Sequence, residues 1–231
     1  MSNIANNLTQ IQHNISEYCE KYQRKPGDVQ LLAVSKTKSA EEIRSAYNAG
    51  QSCFGENYLQ EALQKINLLA DLKIEWHFIG AIQSNKTRDL AENFAWVHSV
   101  DRLKIAHRLS QQRPPTLPPL NICLQINISS EASKSGFKAS EVAAAADEII
   151  CMPNINLRGL MAIPAQADSL QAQRNIFAQM RALLESLQIK YPQLDTLSMG
   201  MSGDMQAAIA EGSTILRIGT AIFGARTTTA N

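Results

Sequence analysis

The chain has 231 residues, 45% hydrophobic and 19% charged, with a formal net charge of +1. That near-neutral balance implies no strongly basic face, which argues against nucleic acid as the main partner. Its apolar runs are only a few residues long, so no membrane span is expected.

The four cysteines, Cys19, Cys53, Cys123 and Cys151, stand no closer than 28 positions apart, without a Cys-x-x-Cys metal pair. Free thiols in a reducing cytoplasm are expected rather than a disulfide framework. The polar opening Met1-Ser2-Asn3-Ile4-Ala5 does not read as a signal peptide, which also points to the cytoplasm.

Ile4, Leu8, Ile11, Ile15, Tyr18, Cys19 and Tyr22 recur at steps of three and four, predicting an amphipathic helix over 1–24. Pro26-Gly27 stops it. Ahead of the first strand, this helix is expected to cap the bottom of a barrel. A strand follows over 29–36, then Ser39 and Glu42 with capping-box spacing, and a helix ending at Gly50. Strands are predicted over 52–55, 74–80 and 96–100, with helices over 56–70, 86–93 and 102–112. The segment 113–119 holds half of the eight prolines and is expected to be an extended, polyproline-like connector. Strands over 120–127, 155–163, 196–199 and 215–218 then alternate with helices over 140–152, 169–189 and 204–211.

Eight strands with helices between them imply parallel pairing and right-handed crossovers. The expected fold is therefore α/β, a single (β/α)8 TIM barrel with an extra N-terminal helix, one domain over 1–231 with a flexible tail over 225–231. An open doubly wound sheet usually carries a Gly-x-Gly-x-x-Gly turn after its first strand. Here that turn reads Ser35-Lys36-Thr37-Lys38-Ser39, without glycine.

Barrel active sites stand at strand C-termini. Lys36 follows Leu32 and Val34 on one face of the first strand. It is either a solvated strand-end lysine or an amine aimed into the mouth, able to attack an aldehyde. The turn Ser198-Met199-Gly200-Met201-Ser202-Gly203-Asp204 is either a helix cap at Ser202 or Asp204, or a phosphate seat built of backbone N–H groups. Arg217 is either an ion-pair partner, for example of Asp204, or a donor to a ligand ring nitrogen. Gly219 beside it lets backbone approach an anion closely. An amine, an anion seat and a guanidinium facing one volume suit pyridoxal 5′-phosphate (PLP).

Several runs carry a family resemblance: Ala33-Val34-Ser35-Lys36-Thr37, Phe54-Gly55-Glu56-Asn57-Tyr58, Trp76-His77-Phe78-Ile79-Gly80-Ala81-Ile82-Gln83-Ser84-Asn85-Lys86, the Ser198–Asp204 turn and Arg217-Ile218-Gly219-Thr220-Ala221-Ile222-Phe223-Gly224. The sequence resembles the pyridoxal phosphate homeostasis protein family, itself similar to the N-terminal barrel of alanine racemases, over essentially its whole length. The resemblance implies PLP held as a Schiff base on Lys36, with Ser202, Gly219 and Thr220 around its phosphate and Arg217 at the ring nitrogen. It also implies Asn57, His77 and Met199 lining the pocket, and a lid in the loop Lys134-Ser135-Gly136-Phe137. His13, His98 and His107 show no paired metal spacing, so no metal site is expected.

Racemisation needs a base on each face of the substrate carbon. The racemases take their second base, a tyrosine, from a further domain; here seven residues follow Gly224. A monomeric carrier that buffers PLP or delivers it to apo-enzymes is therefore the expected function, with a PLP-dependent racemase or other weak PLP enzyme as the alternative.

Overall fold

In the computed structural model, which describes residues 4–25, 27–128 and 135–225, eight parallel strands close into a barrel. They are β1 (Gln30–Val34), β2 (Cys53–Glu56), β3 (Glu75–Phe78), β4 (Trp96–Val100), β5 (Leu120–Gln125), β6 (Ile155–Met161), β7 (Thr196–Ser198) and β8 (Ile215–Ile218). The helices are α1 (Ile4–Lys21), α2 (Ala40–Asn48), α3 (Leu59–Leu68), α4 (Thr87–Asn93), α5 (Leu103–Gln112), α6 (Val142–Ile149), α7 (Leu170–Gln188), α8 (Met205–Ala210) and α9 (Thr220–Phe223). The (β/α)8 barrel read from the alternation is the observed fold. The ladder closes where β8 meets β1, with Gln30 opposite Ile215 and Ala33 opposite Ile218. Closure leaves no unpaired edge strand among the described residues.

Strand alternation sorts the side chains into two cores. Leu32, Val34, Trp96, Met161 and Ile215 cluster inside the barrel. Their chain neighbours Ala33, Val97, Leu160 and Leu216 belong to the larger core under the helices. At α2 the expected capping box is present: Ser39 accepts from Glu42 N, and the Glu42 side chain accepts from Ser39 N.

Three features depart from the sequence reading. Helix α1 lies on the outer flank against α8 and α9 rather than across the bottom of the barrel. Asn7 Nδ2 donates to Ile222 O at 2.8 Å, and Gln206 Nε2 to Tyr22 Oη at 2.9 Å. Helices α8 and α9 have only six and four residues. Such short helices leave apolar surface beside β8 and β1, and the stripe Ile4, Leu8, Ile11, Ile15 of α1 covers it. Helix α9 itself was not anticipated.

The proline-rich segment 113–119 is folded back rather than extended. Leu117 N donates to Pro114 O at 3.0 Å, and the buried Arg113 guanidinium donates to Ala91 O, Phe94 O and Pro118 O at 2.6–2.8 Å. A buried cation needs these carbonyls, and that requirement overrides the polyproline preference.

In the loop after β5, Lys134 lies outside the described residues, as does the tail 226–231. Phe137 is buried, donates to Gln125 O at 2.8 Å and accepts from Asn127 N at 3.0 Å, which pins the returning chain to the end of β5.

Between β6 and β7 the backbones meet at Gly159, where an added Cβ would stand 1.9 Å from Thr196 O. Gly159→Ala is therefore expected to destabilise the barrel by at least ~2 kcal/mol through forced backbone displacement. Urea unfolding followed by circular dichroism measures this as a lower midpoint.

Candidate functional site at the C-terminal mouth

Lys36 stands two residues beyond β1, half-buried, in a turn closed by Lys38 N donating to Ser35 O at 3.0 Å. Among the described residues its ammonium has no hydrogen-bond or ion-pair partner. The backbone on both sides is clamped. Ser35 Oγ donates to Glu56 Oε1 at 2.6 Å, and Thr37 N donates to Glu61 Oε1 at 2.6 Å. Lys65, from α3, donates to Ser35 O at 2.7 Å, Glu56 Oε1 at 2.8 Å and Glu61 Oε1 at 2.5 Å. Thr37 takes φ +62°, a left-handed conformation that costs energy for a β-branched residue and persists where its surroundings enforce it. Burial pushes the Glu56 carboxyl up, while the adjacent Lys65 and Ser35 pull it down.

Arg217 points into the barrel from β8 and is buried. Its Nη1 donates to Ser198 O at 2.5 Å and Ser198 Oγ at 2.8 Å, and its Nη2 to Ala162 O at 2.8 Å. Among the described residues it forms no ion pair; Asp204 acts on it only at longer range. Burial pulls its pKa down to about 10. From Ser198 a polar chain continues across the interior. Ser198 Oγ is 2.7 Å from His98 Nδ1, His98 Nε2 is 2.9 Å from His77 Nδ1, and His77 Nε2 is 2.8 Å from Glu75 Oε1. Both imidazoles are held below the ordinary value by burial, His98 furthest because His77 and Arg217 add to it.

The structure gathers the sequence-derived candidates unequally. Gly219 continues the β1–β8 contact: a Cβ there would lie 3.1 Å from Val34 O. Thr220 opens α9, exposed beside it. Ser202 is exposed in the turn before α8. Asp204 accepts from Met201 N at 2.5 Å and makes no side-chain cap bond to α8. Lys36, Ser202, Arg217, Gly219 and Thr220 thus lie on or just after three consecutive strands of the ring, β7, β8 and β1.

Asn57, half-buried after β2, borders a cavity of about 270 Å³, and its buried Oδ1 has no hydrogen-bond partner among the described residues. That cavity also touches Gly80, Ser99, Asp101, Gln125 and Ile163, over the ends of β3 to β6. His77 does not line it; the ring is enclosed in the interior, stacked on Trp96 with centroids 5.5 Å apart. Met199 directs its side chain into the core beneath the helices, because Ser198 takes the inward position.

Spacing alone does not single out Lys65, Glu61, His98 or Ser198. Their partners on other elements are 9 to 100 positions away, and only the register of neighbouring strands and helices pairs them. Two local signals exist: the i, i+4 spacing of Glu61 and Lys65 on α3, and the i, i+2 alternation that places Glu75 and His77 on one face of β3. With Cys53 on β2, Glu75 and His77 bring their potential ligand atoms within 4.8 Å of one another.

Barrel and rim define a chain of the alanine racemase N-terminal domain class, and that family's model matches residues 6–227. A Pseudomonas aeruginosa protein named pyridoxal phosphate homeostasis protein is 58% identical over 226 residues, spanning 98% of this chain and 97% of its own length. The solved structure of PipY from Synechococcus elongatus with PLP bound is similar at a TM-score of 0.83 and 37% identity, over 96% of this chain and 100% of that one. An alanine racemase of Clostridium difficile shares the fold, with a TM-score of 0.75 at 14% identity, and the match covers 99% of this chain and 58% of that one. The chain belongs to the pyridoxal phosphate homeostasis protein family.

Two outcomes are expected from the charges inside the barrel. Lys65→Met leaves Glu56 buried without its counter-ion and should cost about 3–5 kcal/mol in chemical unfolding. Both imidazoles bind protons more weakly folded than unfolded, so their contribution is complete above the ordinary value of 6.5. It falls as pH drops below that, by about 1.4 kcal/mol per pH unit for each group. Glu56 acts in the opposite sense but is common to all variants. Unfolding midpoints between pH 7 and about 5 should therefore fall more steeply for the wild type than for His98→Gln.

Proposed function

We propose that this chain holds PLP covalently through Lys36 and serves to buffer the cofactor and deliver it to apo-enzymes, with no dedicated reaction of its own. The observation that carries this reading is a half-buried primary amine, without a partner among the described residues, held on a clamped turn next to the strand that bears Arg217. The name of the Pseudomonas relative and the PLP bound to PipY support the same ligand.

The residues fit the group. Lys36 supplies the amine, and Asn57, whose buried Oδ1 has no partner among the described residues, borders the mouth cavity. The small or hydroxylated residues Ser202, Gly219 and Thr220 form the rim proposed for the phosphate. When bound, PLP supplies an electrophilic aldehyde and an electron-withdrawing ring. Arg217 is proposed as donor to the ring nitrogen. A permanently charged donor keeps that nitrogen unprotonated, which suits storage better than carbanion chemistry. His77 acts from beneath, through His98, and Met199 contributes backbone rather than side chain.

The disposition of the tyrosines supports the carrier over a racemase. Tyr18 lies on α1 and Tyr22 just past its end, where it accepts from Gln206 Nε2. Tyr47 and Tyr191 bond Lys73 N and Asp147 on the outside. Tyr58, at the mouth, is 51% exposed and borders a separate surface recess. None is placed as a second base opposite Lys36. A cytoplasmic monomer is part of the proposal; no helix among the described residues is long and apolar enough to cross a membrane.

Purified protein mixed with PLP is expected to turn yellow, and borohydride should fix the adduct on Lys36, as peptide mass spectrometry reads directly. Lys36→Ala should lose the adduct, and equal labelling of that variant would overturn the site. Deuterium exchange at Cα of alanine or serine should stay near the rate of free PLP; enzyme-like exchange would refute the carrier reading. PLP should also reach an apo-enzyme when a trap removes the free cofactor.

A further inference from the structure

Arg217 is a buried cation without an adjacent carboxylate among the described residues. Its three neutral acceptors give hydrogen bonds but no counter-charge. The nearest anion along the bonded chain is Glu75, three residues away through Ser198, His98 and His77.

Donor and acceptor rules fix the direction of that chain. A guanidinium only donates, so Ser198 Oγ accepts from Arg217. The hydroxyl proton then goes to the other partner of Oγ, His98 Nδ1. His98, neutral in its buried site, carries its proton on Nε2 and donates to His77 Nδ1. His77 in turn carries its proton on Nε2 and donates to Glu75 Oε1. An ionised carboxylate accepts only, so the sequence ends there with every donor and acceptor matched. The reverse order would need a protonated Glu75, whereas its bond to His77 holds that carboxyl below the ordinary range. It would also leave the Ser198 proton without this acceptor.

We propose that Ser198, His98, His77 and Glu75 form one polarised relay that carries the negative charge of Glu75 to the buried Arg217 and fixes how its guanidinium faces the mouth. The proposal rests on the reading of Arg217 as the partner of the PLP ring. All four are positioning residues, acting through Arg217.

Three of the five guanidinium N–H groups are committed to Ser198 O, Ser198 Oγ and Ala162 O, which leaves two for a ligand. Trp96, stacked on His77 at an interplanar angle of 4°, blocks rotation of that ring. The rest of the inner cluster, including Leu32, Met161 and Ile215, is apolar. A polar string through such a core costs more than aliphatic packing, so its role extends beyond filling space.

Long-range ¹H–¹⁵N spectra of the ligand-free wild type at neutral pH should show His77 and His98 as neutral Nε2–H tautomers. An Nδ1–H tautomer or an imidazolium at either ring would overturn the relay. His98→Gln keeps one donor and one acceptor in line, whereas His98→Leu and Glu75→Leu break the chain. With PLP loaded, the Leu variants should shift the cofactor absorption band and release PLP roughly 10-fold faster, and His98→Gln should stay within about 3-fold of wild type. A purely structural role would lower unfolding midpoints while leaving the bound spectrum unchanged, and that result would refute the proposal. Should the wild type take up no PLP, the reading of the site fails, while the tautomers still decide the relay.

Discussion

The β1–β8 ladder is the contact on which the site depends. It is the last pairing around the ring, joining residues near the start of the chain to residues near its end, with Leu32 opposite Arg217 and Ala33 opposite Ile218. Without it, β1 and β8 would be edge strands, and Lys36 and Arg217 would belong to unrelated surfaces. With it, the inward face of β1 rises from Leu32 through Val34 to the turn of Lys36, directly beside Gly219. The flank of this seam is thinly covered by α8 and α9, and α1 supplies the missing apolar surface. The leading helix thus stabilises the part of the barrel that the ligand would use.

Two buried cations flank the mouth, and their surroundings differ in kind. Lys65 is paired directly with Glu56 and Glu61 and holds the carbonyl of Ser35, so its charge is neutralised where it stands. That network is a fastener: it fixes the backbone on either side of Lys36 and leaves the Lys36 amine unengaged. Arg217 instead rests on a serine and a backbone carbonyl, with its balancing carboxylate at the far end of an oriented chain. A carboxylate in direct contact would occupy the guanidinium hydrogens that the proposed ring-nitrogen contact needs. Placing the anion at a distance offsets part of the burial cost while keeping donors available.

The mouth is divided accordingly. One side, over β7, β8 and β1, holds the cationic groups and the small residues of the rim. The other, over β3 to β6, is an open cavity bordered by Asn57, Ser99, Asp101 and Gln125. Gly80 sits at the division, where a Cβ would meet Asn57 O at 2.0 Å, so the backbone there is too tight for any side chain. On the proposed reading, a ligand anchored on the first side would leave the second side for an incoming amine.

The sequence by itself determined the barrel, because apolar strands alternating with amphipathic helices are local signals that recur along the chain. It also supplied the residue types at the strand ends: an amine at Lys36, a guanidinium at Arg217 and small residues at Gly219 and Ser202. The partners of those residues were decided only by tertiary structure. Met199 turned outward because Ser198 took the inward place, and His77 lay beneath the mouth because its level on β3 faces His98 and not the solvent. The Glu56–Lys65–Glu61 clamp and the chain from Glu75 to Arg217 join side chains from different strands and helices. Periodicity reports which face a residue takes along its own element. Which neighbour stands opposite depends on register between elements, and register exists only once the ring has closed.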